Sequence, residues 1–157
     1  MTDIGINNDD SKKIADILHK YLASEIVLNL KIRNFHWNVV WIHFNDLHKF
    51  FEELYVSWAS YADEVAERIR MLWLHTQASM KEYIEMTIIP EEKNIKMHSD
   101  KMIEQLLSNN ETLITEMRKD IDTIWAFGDQ GTEDFLTGLI QKHEKDAWML
   151  RSLQAND

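Results

Sequence analysis

The chain of 157 residues contains no cysteine. That excludes a disulfide framework, thiolate metal ligation and a cysteine nucleophile, and it fits a reducing, cytoplasmic setting. Proline occurs once and glycine four times, far below average usage, so turns should be few and helices long. No run of 18 or more apolar residues exists, so no membrane span is expected. The polar stretch from Met1 to Lys13 has neither a basic start nor an apolar centre, which excludes a signal peptide. There is no His-Glu-x-x-His zinc motif and no Gly-rich phosphate loop. Positive charge is also scarce: 17 Lys and Arg stand against 27 Asp and Glu, for a net charge of −10. Such a surface repels nucleic acid and attracts cations, although the same charge also serves solubility alone.

What is present is helical periodicity in one domain, 1–157, with 1–8 read as a flexible tail. Ile14, Ile17, Leu18, Tyr21, Leu22, Leu28, Ile32 and Phe35 recur three and four apart and predict a helix from about Asp9 to Trp37, capped by Asp10 or Ser11. A second stripe, Leu47, Phe50, Phe51, Leu54, Trp58, Tyr61, Val65, Ile69 and Leu72, predicts a helix from an Asn45 cap to about Leu72. Residues 79–86 suggest a short extra helix in the middle connection. Pro90, followed by Glu91 and Glu92, suits a third helix start. Its stripe runs through Ile95, Met102, Leu106, Leu113, Ile114, Met117, Ile121, Ile124 and Trp125, with Gly128 and Gly131 punctuating its end. Thr132 is placed to cap a fourth helix bearing Phe135, Leu136, Leu139, Ile140, Ala147, Leu150 and Leu153. Four amphipathic helices with short loops predict an all-α four-helix bundle.

Two imidazoles and two carboxylates on this scaffold form a plausible metal-ligand set. His36 ends the first helix; His48, Asp63 and Glu67 share the second. On helical angles, Glu52, Asp63 and Glu67 fall about 40°, 60° and 100° from His48, one polar face. A face of that kind is equally what an exposed helix shows to water. If it is a metal site, geometry constrains it. His48 and Asp63 stand roughly 22 Å apart along an unbroken helix, whereas metal–ligand bonds are about 2 Å. One chain cannot close that gap, so the histidine end of one copy would have to meet the carboxylate end of another across a twofold axis. The Glu-x-x-His pairs of intrasubunit di-iron bundles are absent, because no histidine here has Glu three residues before it.

These residues also carry a family resemblance. His36-Trp37-Asn38-Val39, Phe44, Leu47-His48 and Asp63-x-x-Ala66-Glu67-Arg68-Ile69 resemble the signature of the Dps proteins (DNA-binding protein from starved cells), the ferritin-like mini-ferritins. The gaps of 12, 15 and 4 residues match, and Asp129-x-x-Thr132-x-Asp134 with His143-Glu144-Lys145-x-x-Trp148-Met149-Leu150 is similar to the end of that family. The resemblance spans about residues 20 to 153. It implies a ferritin-like bundle assembled as a hollow homododecamer from twofold dimers. It also implies an intersubunit ferroxidase site with His36 and His48 from one chain and Asp63 and Glu67 from its partner. The implied activity is oxidation of ferrous iron by hydrogen peroxide and storage of ferric mineral, which protects against oxidative stress. Zinc is a possible occupant of the same ligands, in a cage without storage activity.

By the same resemblance, Glu52 holds a second iron or a bridging water, and Trp37 adjoins the site. Asp129, Asp134 and Glu144 match the region lining the ion-entry pores. For Asp129 a helix-terminal role competes, and for Glu144 a surface ion pair. The alternative function, protection through DNA binding, fits poorly, because Lys12 and Lys13 in the tail are offset by Asp3, Asp9 and Asp10. Two positions depart from the family: Trp41 and Trp73 stand where it usually has glycine, and a positive backbone angle there would resist tryptophan.

Overall fold

The computed structural model describes residues 4–40 and 43–154. Trp41 lies outside the described residues, as do the ends of both termini. Five helices and no strand occur among the described residues: α1 (Asn8–Asn38), α2 (Phe44–Met71), α3 (Met80–Met86), α4 (Ser99–Ala126) and α5 (Gln130–Gln154). The four long helices are the expected bundle. α1 packs chiefly on α2 and α4 on α5, while short α3 lies against α1.

The predicted stripes face the core. Tyr21, Phe35, Phe51 and Trp58 are among the largest fully buried side chains, joined by Ile14, Leu18, Ile69, Met102 and Leu106. Three stripe members do not belong there: Ile95, Trp125 and Leu153 are 60%, 65% and 48% exposed. Lys20 and the Tyr21 hydroxyl both bind the Asp120 carboxylate and tie α1 to α4. Burial and that carboxylate push the Tyr21 phenol upward from its ordinary pKa.

Helix ends differ from the sequence expectation in instructive ways. Asn7, rather than Asp10 or Ser11, caps α1 by accepting the Asp10 N–H at 2.8 Å. α2 begins after His43 with no side-chain cap, which leaves Asn45 inside its first turn. Ser79 caps α3, as its position before the apolar residues suggests. Pro90 does not start a helix; α4 begins nine residues later at Ser99. The intervening backbone is held by local side-chain bonds instead. Glu92 accepts the Asn94 N–H at 2.6 Å, and Asn94 accepts the Lys96 N–H at 2.9 Å. Such bonds compete with helical ones. A hydrogen bond from Gln105 is the main reason the Glu92 carboxyl sits below its ordinary pKa.

α5 is capped by Asp129, not Thr132. The Asp129 carboxylate accepts the Thr132 N–H at 2.9 Å and the Thr132 hydroxyl at 2.5 Å. Gly128 ends α4 at φ +77, but Gly131 lies inside α5. A Cβ on Gly131 would come 2.8 Å from the Arg68 guanidinium, so glycine there lets α2 reach the start of α5.

The end of α2 bears out the concern over Trp73. Its φ is +65, the one positive value at a non-glycine position among the described residues. Trp73 N–H bonds the Arg70 carbonyl at 2.8 Å and Leu74 N–H the Ile69 carbonyl at 3.4 Å. This pair of bonds is the Schellman closure, which normally puts glycine where Trp73 stands.

Candidate metal centre

The short connection from α1 to α2 folds His48 back onto His36. Each imidazole Nδ1 donates to the other residue's backbone carbonyl, at 2.8 Å from His36 and 2.9 Å from His48. A carbonyl only accepts, so each Nδ1 carries a proton, and in the neutral imidazole each Nε2 then has the free lone pair. Orientation of a ligand histidine through its other nitrogen is how proteins fix the tautomer that binds a cation. The rings stack 3.8 Å apart at 20°. Phe44 covers the outer face of His48 at 5.0 Å, and Tyr55 meets His36 edge-on at 5.2 Å. His36 is buried and His48 half-buried.

Glu52, one turn past His48, is exposed and accepts the Tyr55 hydroxyl at 3.3 Å. The Arg33 guanidinium lies 4.0 Å from the centre of the Tyr55 ring and donates to Asn29 at 3.0 Å. Asn29 in turn donates to the Tyr55 carbonyl at 2.5 Å. Of these framing residues, Phe44 belongs to the family signature, whereas Arg33 and Tyr55 were not singled out from sequence. Their signal was spacing: Arg33 precedes His36 by three, Phe44 precedes His48 by four and Tyr55 follows Glu52 by three, each one helical turn.

Asp63 and Glu67 stand at the far end of α2, exposed, and among the described residues neither carboxylate takes part in a side-chain hydrogen bond or ion pair. Nor do any three of His, Asp and Glu gather closely enough to hold an ion. The single chain thus presents a stacked, hydrogen-bonded imidazole pair at one end of α2 and two exposed carboxylates toward the other. Trp37 beside His36 is 63% exposed and no part of the core.

The three residues expected at the ion-entry pores differ in their surroundings. Asp134 is exposed. Glu144 is exposed and paired with Arg118 on α4. Asp129 is 3% exposed, with one carboxylate oxygen on the Thr132 N–H and on Arg68 at 3.0 Å, the other on the Thr132 hydroxyl. With both carboxylate oxygens engaged, Asp129 serves in this chain as the cap of α5, the helix-terminal role that competed with the pore.

Comparisons place this chain among known proteins. The family model described as the ferritin-like domain matches residues 15–157. DNA protection during starvation protein 2 of Bacillus anthracis is 37% identical over 142 residues, covering 90% of this chain and 97% of that protein. The DNA protection during starvation protein of Helicobacter pylori is 34% identical over 140 residues, covering 89% and 97%. The crystal structure of a Dps protein from Vibrio cholerae superposes with a TM-score of 0.93 at 28% identity, covering 99% and 97%, and is described as a member of a broad superfamily of ferritin-like diiron-carboxylate proteins.

Proposed function

The chain belongs to the Dps proteins of the ferritin-like family, and from that premise we propose that it oxidises ferrous iron with hydrogen peroxide and stores the ferric product inside a homododecamer. The observation that carries this reading is the reciprocal histidine pair, whose two Nε2 lone pairs are left free by the carbonyls that hold Nδ1. Imidazole suits ferrous iron, and the partner's Asp63 and Glu67 would supply the harder oxygen donors that favour the ferric product. Glu52, one turn from His48 and hydrogen-bonded by Tyr55, would hold a second ion. Paired oxidation delivers two electrons to one peroxide, which leaves as water, so no hydroxyl radical forms. Asp134 and Glu144, both exposed, remain as the carboxylates that would draw ferrous ions through the pores.

The names of two relatives tie them to DNA protection. Removal of ferrous iron and peroxide protects DNA without touching it, and a net charge of −10 opposes phosphate contact. A mobility-shift assay at physiological salt is expected to show no tight binding. Among the described residues no helix is long and apolar enough to cross a membrane, and work in the cytoplasm accords with the absence of cysteine.

The test is anaerobic ferrous loading followed by peroxide. Storage requires oxidation of many irons per subunit and a mineral that co-elutes with the protein. Oxidation that stops at a couple of irons per subunit, or displacement of iron by zinc with no turnover, would sink the storage reading.

A further inference from the structure

The centre of the bundle is not wholly apolar. α1 brings Glu25, α2 brings Trp58 and Tyr61, α4 brings Asn110, and α5 brings His143 and Asp146. Glu25, Trp58, Asn110 and His143 are fully buried, and Asp146 is 6% exposed. The indole N–H of Trp58 donates to Asp146 Oδ2 at 2.7 Å, and the Tyr61 hydroxyl approaches the same oxygen at 3.4 Å. The His143 ring meets Trp58 edge-on at 5.1 Å.

Protons here can be counted. Asn110 Nδ2 donates to the His143 carbonyl, so its oxygen must face the ring, and His143 Nδ1 donates to it at 2.7 Å. His143 Nε2 lies 2.7 Å from Glu25 Oε1, a link that holds a single proton between the two groups. The second Glu25 oxygen is buried with no hydrogen-bond partner. Two carboxyl groups are therefore buried in the bundle, Asp146 on the Trp58 indole and Glu25 on the His143 ring that meets it edge-on. Burial raises the Asp146 carboxyl above its ordinary pKa and makes it a better base.

We propose that Trp58, bonded to Asp146, is a buried one-electron sink that intercepts oxidant produced at the iron site when a lone ferrous ion meets peroxide. The proposal rests on the ferrous–peroxide reading above. An oxidised indole is a strong acid, and its N–H proton needs an acceptor in place at the moment the electron leaves. Asp146 is that acceptor. In the step, Trp58 gives one electron to a hydroxyl radical, which becomes hydroxide. The indole N–H bond breaks, its proton forms an O–H bond on Asp146, and a neutral indolyl radical remains. Among the described residues no other tryptophan donates to a carboxylate; Trp37, Trp73, Trp125 and Trp148 are all more than 60% exposed. Along the axis of α2, Trp58 also lies between the histidine and carboxylate ends, about 7.5 Å before Asp63 and about 15 Å after His48. A sink there is within reach of oxidant formed at either end.

The experiment mixes substoichiometric ferrous iron with excess peroxide, freeze-quenches the intact protein and records radicals by electron paramagnetic resonance. A ferrous chelator assay and size-exclusion chromatography run alongside. Wild type is expected to give a long-lived neutral indolyl signal. Trp58→Phe should lose most of it at an unchanged rate of ferrous consumption. Asp146→Asn keeps an acceptor for the indole N–H but no base, and should give the cation form or a signal that decays faster. Should Trp58→Phe fail to assemble, Asp146→Asn still decides: the same neutral radical with the same lifetime overturns the proposal. A signal that persists in Trp58→Phe while ferrous iron is consumed normally overturns the proposal alone. If wild type consumes ferrous iron no faster than buffer, the ferrous–peroxide reading fails and takes the sink with it.

Discussion

Mixing two inactive variants would test the shared iron site most sharply. His36→Ala removes one member of the imidazole pair, and Asp63→Ala removes a carboxylate roughly 22 Å away along α2. If both residues served one intrachain site, every subunit of either variant would be dead, and mixing would recover nothing. If each site takes histidines from one copy and carboxylates from its twofold partner, a mixed dimer behaves differently. One of its two sites combines both lesions; the other combines the intact His36 of one chain with the intact Asp63 of the other. Random pairing makes about half of the dimers mixed, so about a quarter of all sites are complete. Co-expression in equal amounts, initial rates of ferric formation with peroxide, and native mass spectrometry for dimer composition give the measurement. Each variant alone should fall to the uncatalysed rate, and the mixture should recover about a quarter of the wild-type rate. Recovery near zero with mixed dimers present, or one variant retaining full activity alone, would refute the helix-length reasoning.

Other predictions concern the frame that holds the site. Trp73→Gly should raise stability by about 1 kcal/mol, because relief of the left-handed backbone outweighs the added chain entropy of glycine; thermal melts should shift upward by about 2–4 °C, and a downward shift would contradict the strain. Arg68→Ala should cost about 2–3 kcal/mol by leaving the buried Asp129 carboxylate without its cation, read as a lower denaturation midpoint at constant slope. Burial depresses the Lys31 ammonium from 10.5 to about 8, so the folded chain sheds a proton between those values that the unfolded chain retains. Stability should therefore rise with pH from about 8 to 10.5. Lys31→Met should flatten that rise and be the more stable form at neutral pH, by up to about 3 kcal/mol; equal pH slopes in the two proteins would show that Lys31 is not desolvated.

The limits of legibility follow from which residues answer to local rules. Stripes such as Ile14, Leu18, Tyr21 and Phe51, Leu54, Trp58 report helical burial, because a 3.6-residue period needs nothing beyond the chain itself. Helix ends report less. Pro90 satisfies every local rule for a helix start, yet backbone N–H groups bonded to the Glu92 and Asn94 side chains keep the chain out of a helix until Ser99. Thr132 reads as a cap, but Asp129, recruited by Arg68 from α2, takes that place. The same long-range pull makes Asp129, also a candidate pore carboxylate, the buried cap of α5.

Sequence by itself determined an all-α bundle, because apolar periodicity reports helical burial, and the argument that one helix cannot bring His48 and Asp63 to one ion, because rise per residue and bond length suffice for that. Only the tertiary structure decided how the two histidines are held. The reciprocal Nδ1–carbonyl bonds that set both tautomers join residues 12 apart in sequence. The Glu25–His143 proton link joins residues 118 apart. No periodicity encodes either pairing, since each depends on how one helix lies against another.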